Sequence, residues 1–248
     1  MNNLNPTKPV PGWRKLTRAA MIVLWPAAAA FGLWNATASA QSVLPVAAPA
    51  PAIDVTSSGD TQVAVFAGGC FWGVQGVFQH VKGVKSAVSG YAGGTMANPS
   101  YEDVLTETTG HAEAVRVEFD PSQVTYGQLL QIFFSVIADP TTLNYQGNDY
   151  GESYRSALFV MNDEQKKVAD AYIAQLDVAK VYPAKIVTEV TAYTNFYQAE
   201  DYHQDNAYTQ KVNPGYLAYF DLPKIAAMKQ MFSRFWLDKP VLVFASNA

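Results

Sequence analysis

The chain has 248 residues and a mass of 27.0 kDa, enough for one medium domain with tails and for a continuous apolar core without disulfide staples. Its lone cysteine, Cys70, excludes an intrachain disulfide. The formal charge of −4 joins two unlike parts: residues 1–40 hold Lys8, Arg14, Lys15 and Arg18 and no carboxylate, leaving 13 basic against 21 acidic side chains from Gln41 onward. A body of net −8 is a poor candidate for gripping phosphate backbones or anionic lipid, so no nucleic-acid partner is expected.

The basic start, the apolar run AAMIVLWPAAAAFGLW at 19–34 and the small residues Ala38 and Ala40 read as an export signal over 1–40, cut after Ala40. Pro26 interrupts a run already short for a bilayer; an uncleaved anchor facing outward is the alternative. The expected location is a bacterial periplasm, with secretion as the other outcome, and no stable membrane insertion after cleavage. Residues 41–61, QSVLPVAAPAPAIDVTSSGDT, read as an extended Ala/Pro-rich tether, and the folded domain is expected over 62–240.

VAVFAG at 63–68 predicts a buried strand closed by glycines, and apolar spacing at 71, 74, 77, 78 and 81 predicts a helix with Cys70 at its start. A second strand is expected over 85–90, and a short helix over 101–106. The period-two segment AEAVRVEF at 112–119 is the clearest strand of the chain. Thr125 caps a predicted helix over 126–137. The turn-rich DPTTLNYQGNDYGES leads to a strand at 154–160, a helix from Asn162 or Asp163 through Lys180, and a strand at 186–190. The rest reads as irregular chain rich in Tyr, Asn and Gln, with a short helix near 225–235. The fold class is α+β, a two-layer sandwich of a mixed sheet and flanking helices.

Cys70 sits where a strand turns into a helix, and a helix start favours the thiolate, which lowers a cysteine pKa. The alternative is a buried structural cysteine. Phe71 and Trp72 are either core or the apolar floor beside a reactive sulfur. Alternation along 112–119 puts Glu113 on the face of Val115 and Val117, so its carboxyl is either paired, protonated by desolvation, or at an edge in water. A neutral carboxyl beside a thiolate is a proton donor. The three histidines, His80, His111 and His203, are too scattered for a metal site, and the abundant tyrosines offer phenols for a polar oxygen.

GGCFWG at 68–73, then GVKSAVSGYAGG, NPSYEDV, TGHAEAVRVEFDP, DPTTLNYQGNDYGESYRSALF and AEDYHQDN, together resemble the peptide methionine sulfoxide reductase A family over about 63–216. The resemblance implies an α+β sandwich and a thiol-dependent reduction of the S epimer of methionine sulfoxide, free or in proteins, without metal, flavin or other cofactor. It also implies the roles. Cys70 is the catalytic cysteine, Phe71 and Trp72 hold the S-methyl group, Glu113 is the acid, Tyr101 and Tyr154 hydrogen-bond the sulfoxide oxygen, and Asp149 helps position water and substrate polar groups. Many members resolve the resulting sulfenic acid with later cysteines; this chain has none, so a thioredoxin-like or glutaredoxin-like protein or a small thiol is expected as partner. A monomer is expected. Ala138, Tyr145 and Asn206 depart from the family pattern. Two other classes remain: a cysteine hydrolase pairing Cys70 with His111 or His203, and a non-catalytic module that binds oxidised methionine.

Overall fold

The computed structural model describes residues 44–55 and 59–244; the expected signal segment lies outside them. Among the described residues no helix is long and apolar enough to cross a membrane. The centre is a six-stranded mixed sheet, α+β in class as the sequence pattern predicts. Its strands are β1 (Gln62–Gly68), β2 (Val84–Ala92), β3 (Ala112–Phe119), β6 (Ser156–Val160), β7 (Glu189–Ala192) and β8 (Phe196–Gln198), and a two-residue hairpin, β4 (Tyr145–Gln146) with β5 (Asp149–Tyr150), lies apart. The sheet order is β7-β6-β1-β3-β2-β8; every pairing is antiparallel except β6 with β7.

Alternation along the strands separates two cores. Phe66, Val115 and Val117 face the larger one, with α1 (Phe71–Gln79), α3 (Tyr126–Ile132), α4 (Asp163–Val178) and α7 (Leu222–Met231) packed over it. Val65, Ala112, Ala114 and Phe159 face a smaller cluster covered by Val63, Met161, Tyr193 and Phe196. Short α2 (Tyr101–Val104) starts at Ser100, which makes a reciprocal capping box with Asp103. Two further turns, α5 (Asn206–Thr209) and α6 (Pro214–Tyr216), punctuate the C-terminal chain.

Several elements differ from the sequence expectation. The helix predicted over 126–137 is α-helical only to Ile132, then makes a π turn through Ile137 that buries all five of its residues. The strand expected at 186–190 begins three residues later. The Ile186 N–H goes to the Asp177 carboxylate (3.1 Å) and the Val187 N–H to the Pro140 carbonyl (2.8 Å), so neither is free for the ladder. The expected tether over 41–61 is not a loose linker between 44 and 55. It is a strap with little regular structure, fastened to α3, to the π turn that follows it and to α4. Val46 N–H donates to the Ser135 carbonyl (2.8 Å), Gln131 Nε2 to Ala48 O (2.8 Å), and the Tyr172 hydroxyl to Pro49 O (2.7 Å). Asp54 accepts from Gly127 N (3.0 Å) and from the Thr125 hydroxyl. These backbone groups find partners on the helices where an isolated Pro-rich chain offers none.

Candidate active site

The site grows from the junction of β1 and α1. Gly69 turns the chain at φ +85°, where an added Cβ would stand 2.6 Å from Gln146 Cβ, so the turn needs glycine twice over. It delivers Cys70 to the N-cap of α1, at φ −49° and ψ 119°, with only 7% of its surface exposed. The thiol does not follow the expectation from the helix start. Burial first, then the carboxyls of Asp221 and Glu113, hold its pKa well above the usual value, against the Trp72 backbone N–H and the Lys224 charge. Desolvation outweighs the helix terminus.

Glu113, opposite Tyr91 in the sheet, is 2% exposed, and its Oε2 accepts from the Phe71 backbone N–H at 2.9 Å. Burial pushes its pKa up to about 8, opposed by that N–H and reinforced by the charges of Asp149, Asp221 and Glu107. It is therefore a neutral acid at pH 7, hydrogen-bonded to the residue that follows Cys70. That is the desolvated alternative among the readings left open by its place on the strand.

An aromatic cluster joins the rest. His203 stands with ring centroids 5.0 Å from Phe71, 5.7 Å from Trp72 and 4.4 Å from Tyr101. Its Nδ1 accepts from Trp72 Nε1 at 3.1 Å, and burial lowers its pKa to about 4, so it is neutral with the proton on Nε2. Glu200 fixes α2 by accepting from Tyr101 N–H (2.8 Å) and from the Tyr91 hydroxyl (2.8 Å). Burial and the nearby Glu113 carboxyl push the phenols of Tyr101 and Tyr154 upward, keeping both as hydrogen-bond donors. The histidines do not pair with Cys70 as a hydrolase requires: His203 is engaged by Trp72, and His111 by Gly94 N–H (3.1 Å) and the Met96 carbonyl (2.8 Å).

Beside Cys70 opens a cavity of about 660 Å³, whose walls include Tyr145, Asp149, Tyr216, Phe220 and Lys224. Of the sequence-expected residues it reaches Cys70 and Asp149; the other five belong to the cluster around Glu113 and His203. The Tyr216 hydroxyl donates to Asp149 Oδ2 and its ring meets Trp72 edge-on at 5.9 Å, linking cavity to cluster. Tyr216, Asp221 and Lys224 carry no motif or periodicity that sequence reasoning could have used. The departures have packing explanations. Tyr145 stacks on Tyr150 (5.3 Å), Ala138 is fully buried 3.2 Å from a Cβ built on Gly68, and Asn206 clamps Val212 through both its N–H and its carbonyl (3.0 and 2.9 Å).

The profile of the peptide methionine sulfoxide reductase family matches residues 62–235. The chain belongs to that family. It is 54% identical over 195 residues to peptide methionine sulfoxide reductase MsrA 2 of Mesorhizobium japonicum, covering 79% of this chain and 100% of the relative. It is 50% identical over 169 residues to the MsrA of Polynucleobacter asymbioticus, covering 68% and 88%. Among solved structures, Mxr1 from Saccharomyces cerevisiae in reduced form superposes with a TM-score of 0.54 at 31% identity, over 66% of this chain and 91% of that one. Methionine sulfoxide reductase A of Corynebacterium diphtheriae does so with 0.53 at 32%, over 69% and 85%. As a member of the family the chain is an oxidoreductase that reduces methionine sulfoxide to methionine by thiol chemistry. The strap at 44–55 lies outside the segment that the family profile matches.

Proposed function

We propose that Cys70 carries the reduction, with Glu113 as its acid. The observation that carries this assignment is a fully buried, neutral carboxyl hydrogen-bonded at 2.9 Å to the N–H of the residue that follows the only cysteine. A sulfoxide sulfur is a weak electrophile until its oxygen takes a proton. Glu113 donates that proton as the Cys70 sulfur attacks, while Tyr101 and Tyr154 hold the oxygen and Phe71 and Trp72 enclose the methyl group. The oxygen ends on Cys70 as a sulfenic acid, and methionine leaves as the thioether. The cysteine sulfur loses two electrons, the sulfoxide gains them, and the thiol's proton replaces the one Glu113 gave. Asp149, tied to Tyr216, orients polar groups of the substrate at the cavity wall.

The S epimer is the expected substrate, free or in proteins. With one cysteine, the sulfenic acid is resolved by a thiol from another molecule: a thioredoxin-like or glutaredoxin-like protein, or a small thiol. We place the enzyme as a monomer in the periplasm, cut after Ala40, a cut that leaves the strap on the mature chain; intact-mass spectrometry of exported protein finds Gln41 first if this holds, and a membrane-bound chain retaining residues 19–34 excludes it. The reaction is tested with one equivalent of an S-epimer methionine sulfoxide peptide, no reductant, and a dimedone-type trap. One methionine released and one probe on Cys70 per chain is the expected result. An intermolecular Cys70–Cys70 disulfide instead makes a second enzyme molecule the resolving thiol, and methionine released with the Cys70 thiol unmodified removes Cys70 from the reaction.

A further inference from the structure

Asp221 is a buried carboxyl to which the reaction above gives no task, and unlike buried Asp205, which accepts from Gln79, Val243 and Phe244, it has no donor among the described residues. It ends the π turn Leu217–Asp221 and has no exposed surface. Neither of its oxygens accepts a hydrogen bond. It is pressed on the first turn of α1: a Cβ built on Gly73 would stand 2.3 Å from Asp221 Oδ1 and 2.9 Å from its Cγ. Gly73 lies three residues after Cys70, and glycine is what admits the carboxyl there. Its counter-charge is Lys224 Nζ, 3.7 Å from Oδ1, on a side chain 20% exposed that reaches the wall of the cavity beside Cys70.

A buried acid normally finds N–H or O–H donors, because burying a charge or an unpaired polar group is costly. Helix N-termini offer such donors, yet Asp221 takes none from α1. The groups around it are Cys70 at the start of α1, Glu113 on β3, Asp149 on β5, Tyr216 on α6 and Lys224 in the first turn of α7. Only Lys224 among these is a cation.

We propose that Asp221 and Lys224 form a charge pair that sets the resting state of the Cys70 sulfur, Asp221 keeping it a thiol and Lys224 opposing it. Asp221 is thus a positioning residue, acting through the sulfur and not on the substrate. Burial raises its own pKa to about 6, so at neutral pH it is mostly an anion. Pressed on the first turn of α1, its anion disfavours a second negative charge on the Cys70 sulfur. The consequence suits a chain with one cysteine. A thiol reacts far more slowly than a thiolate with peroxide, and no second cysteine rescues an oxidised sulfur by forming an internal disulfide.

This inference concerns the same site as the proposed reaction but a different property, so it can fail while sulfoxide turnover stands. The measurement is the pH profile of Cys70 alkylation by iodoacetamide in the whole chain, followed by mass. Asp221→Asn should move the profile about one pH unit lower, raising the rate at pH 7 by about tenfold and peroxide inactivation in parallel. Lys224→Met should move it the other way and slow alkylation several-fold. A role confined to holding α7 against α1 would loosen the fold in both variants and speed alkylation in both. An unchanged profile in Asp221→Asn, or shifts of one sign in both, overturns the proposal. Should Asp221→Asn not fold, Lys224→Met decides alone: a rate that does not fall overturns it.

Discussion

The two sides of the site are built by different means. One is a floor of β1, α1 and β3, where a sheet register and a glycine turn deliver Cys70 and Glu113, and where most side chains are buried and apolar. The other is a wall from Glu200 to Lys224, a succession of one-turn helices stitched by side-chain bonds: Glu200 to Tyr91, Trp72 to His203, Tyr216 to Asp149, Asn206 to Val212. Packing fixes the floor, and polar partners fix the wall. A substitution on the floor should therefore change chemistry outright, whereas one on the wall should change how well the floor is aimed and tuned.

The largest effect is expected at Glu113. Glu113→Gln keeps the volume and the acceptor for Phe71 N–H but has no proton to give, and general acid catalysis contributes roughly 10²- to 10⁴-fold. Single-turnover methionine release should fall by that factor with the melting temperature little changed. A loss within about twofold would move the proton to another group.

The same residue fixes the pH dependence. Its pKa is raised to about 8 from an ordinary value near 4.5, and the active form is protonated. The single-turnover rate should hold below about pH 8 and then drop about tenfold per unit, a slope absent in Glu113→Gln. The folded state binds a proton that the unfolded chain has lost between those two values. This contribution to stability is complete below pH 4.5 and disappears as pH rises through 8. Denaturant titrations at pH 6 and pH 9 read the second effect, and Glu113→Gln should flatten it.

A wall residue should act more gently. His203→Leu keeps an apolar side chain against Phe71 and Tyr101 but leaves the buried Trp72 N–H without an acceptor, a cost of about 1–3 kcal/mol. The indole should lose its fixed orientation, and kcat/KM for methyl over bulkier sulfoxides should fall about tenfold. Unchanged discrimination with a large drop in melting temperature would make His203 a packing residue only.

The contrast between floor and wall is also the boundary of what was legible. Period two along 112–119 identified β3 and put Glu113 on the inner face, and glycines before an apolar helical spacing located Cys70. Those signals are dictated by burial on a regular element, so they survive in one dimension. The roles expected of Tyr101, Tyr154 and Asp149 came from motif resemblance, because no periodicity separates a phenol at an active site from the many tyrosines that pack. Tyr216, Asp221 and Lys224 were invisible for a physical reason: their positions depend on where short turns cross α1, more than 140 residues away in the chain. The bonds of the strap have no mark in the sequence, because prolines and alanines lack periodicity whether or not other elements supply partners to their backbone. The helix over 126–137 was placed correctly along the chain, but its closing π turn has no compositional mark.

The smallest effect is expected where the strap meets the start of α3. Asp54 accepts from Gly127 N–H and the Thr125 hydroxyl at the start of α3, although Thr125 and Gln128 already form a complete capping box there. Asp54→Ala removes a charge-assisted contact at a helix N-terminus that keeps its own cap, so the loss should be about 1 kcal/mol. For a domain of this size that is about 2–4 °C of melting temperature. Asp54 does not line the cavity, whereas Leu44 and Pro45 at the other end of the strap do. If the Ser135, Gln131 and Tyr172 bonds hold the strap independently, single-turnover rate should stay within about twofold while stability falls. A rate that drops with the melting temperature would mean that the strap moves as one piece and that its far end shapes the cavity beside Cys70. An unchanged melting temperature would leave the capping box alone holding α3, and the strap fastened by its backbone bonds.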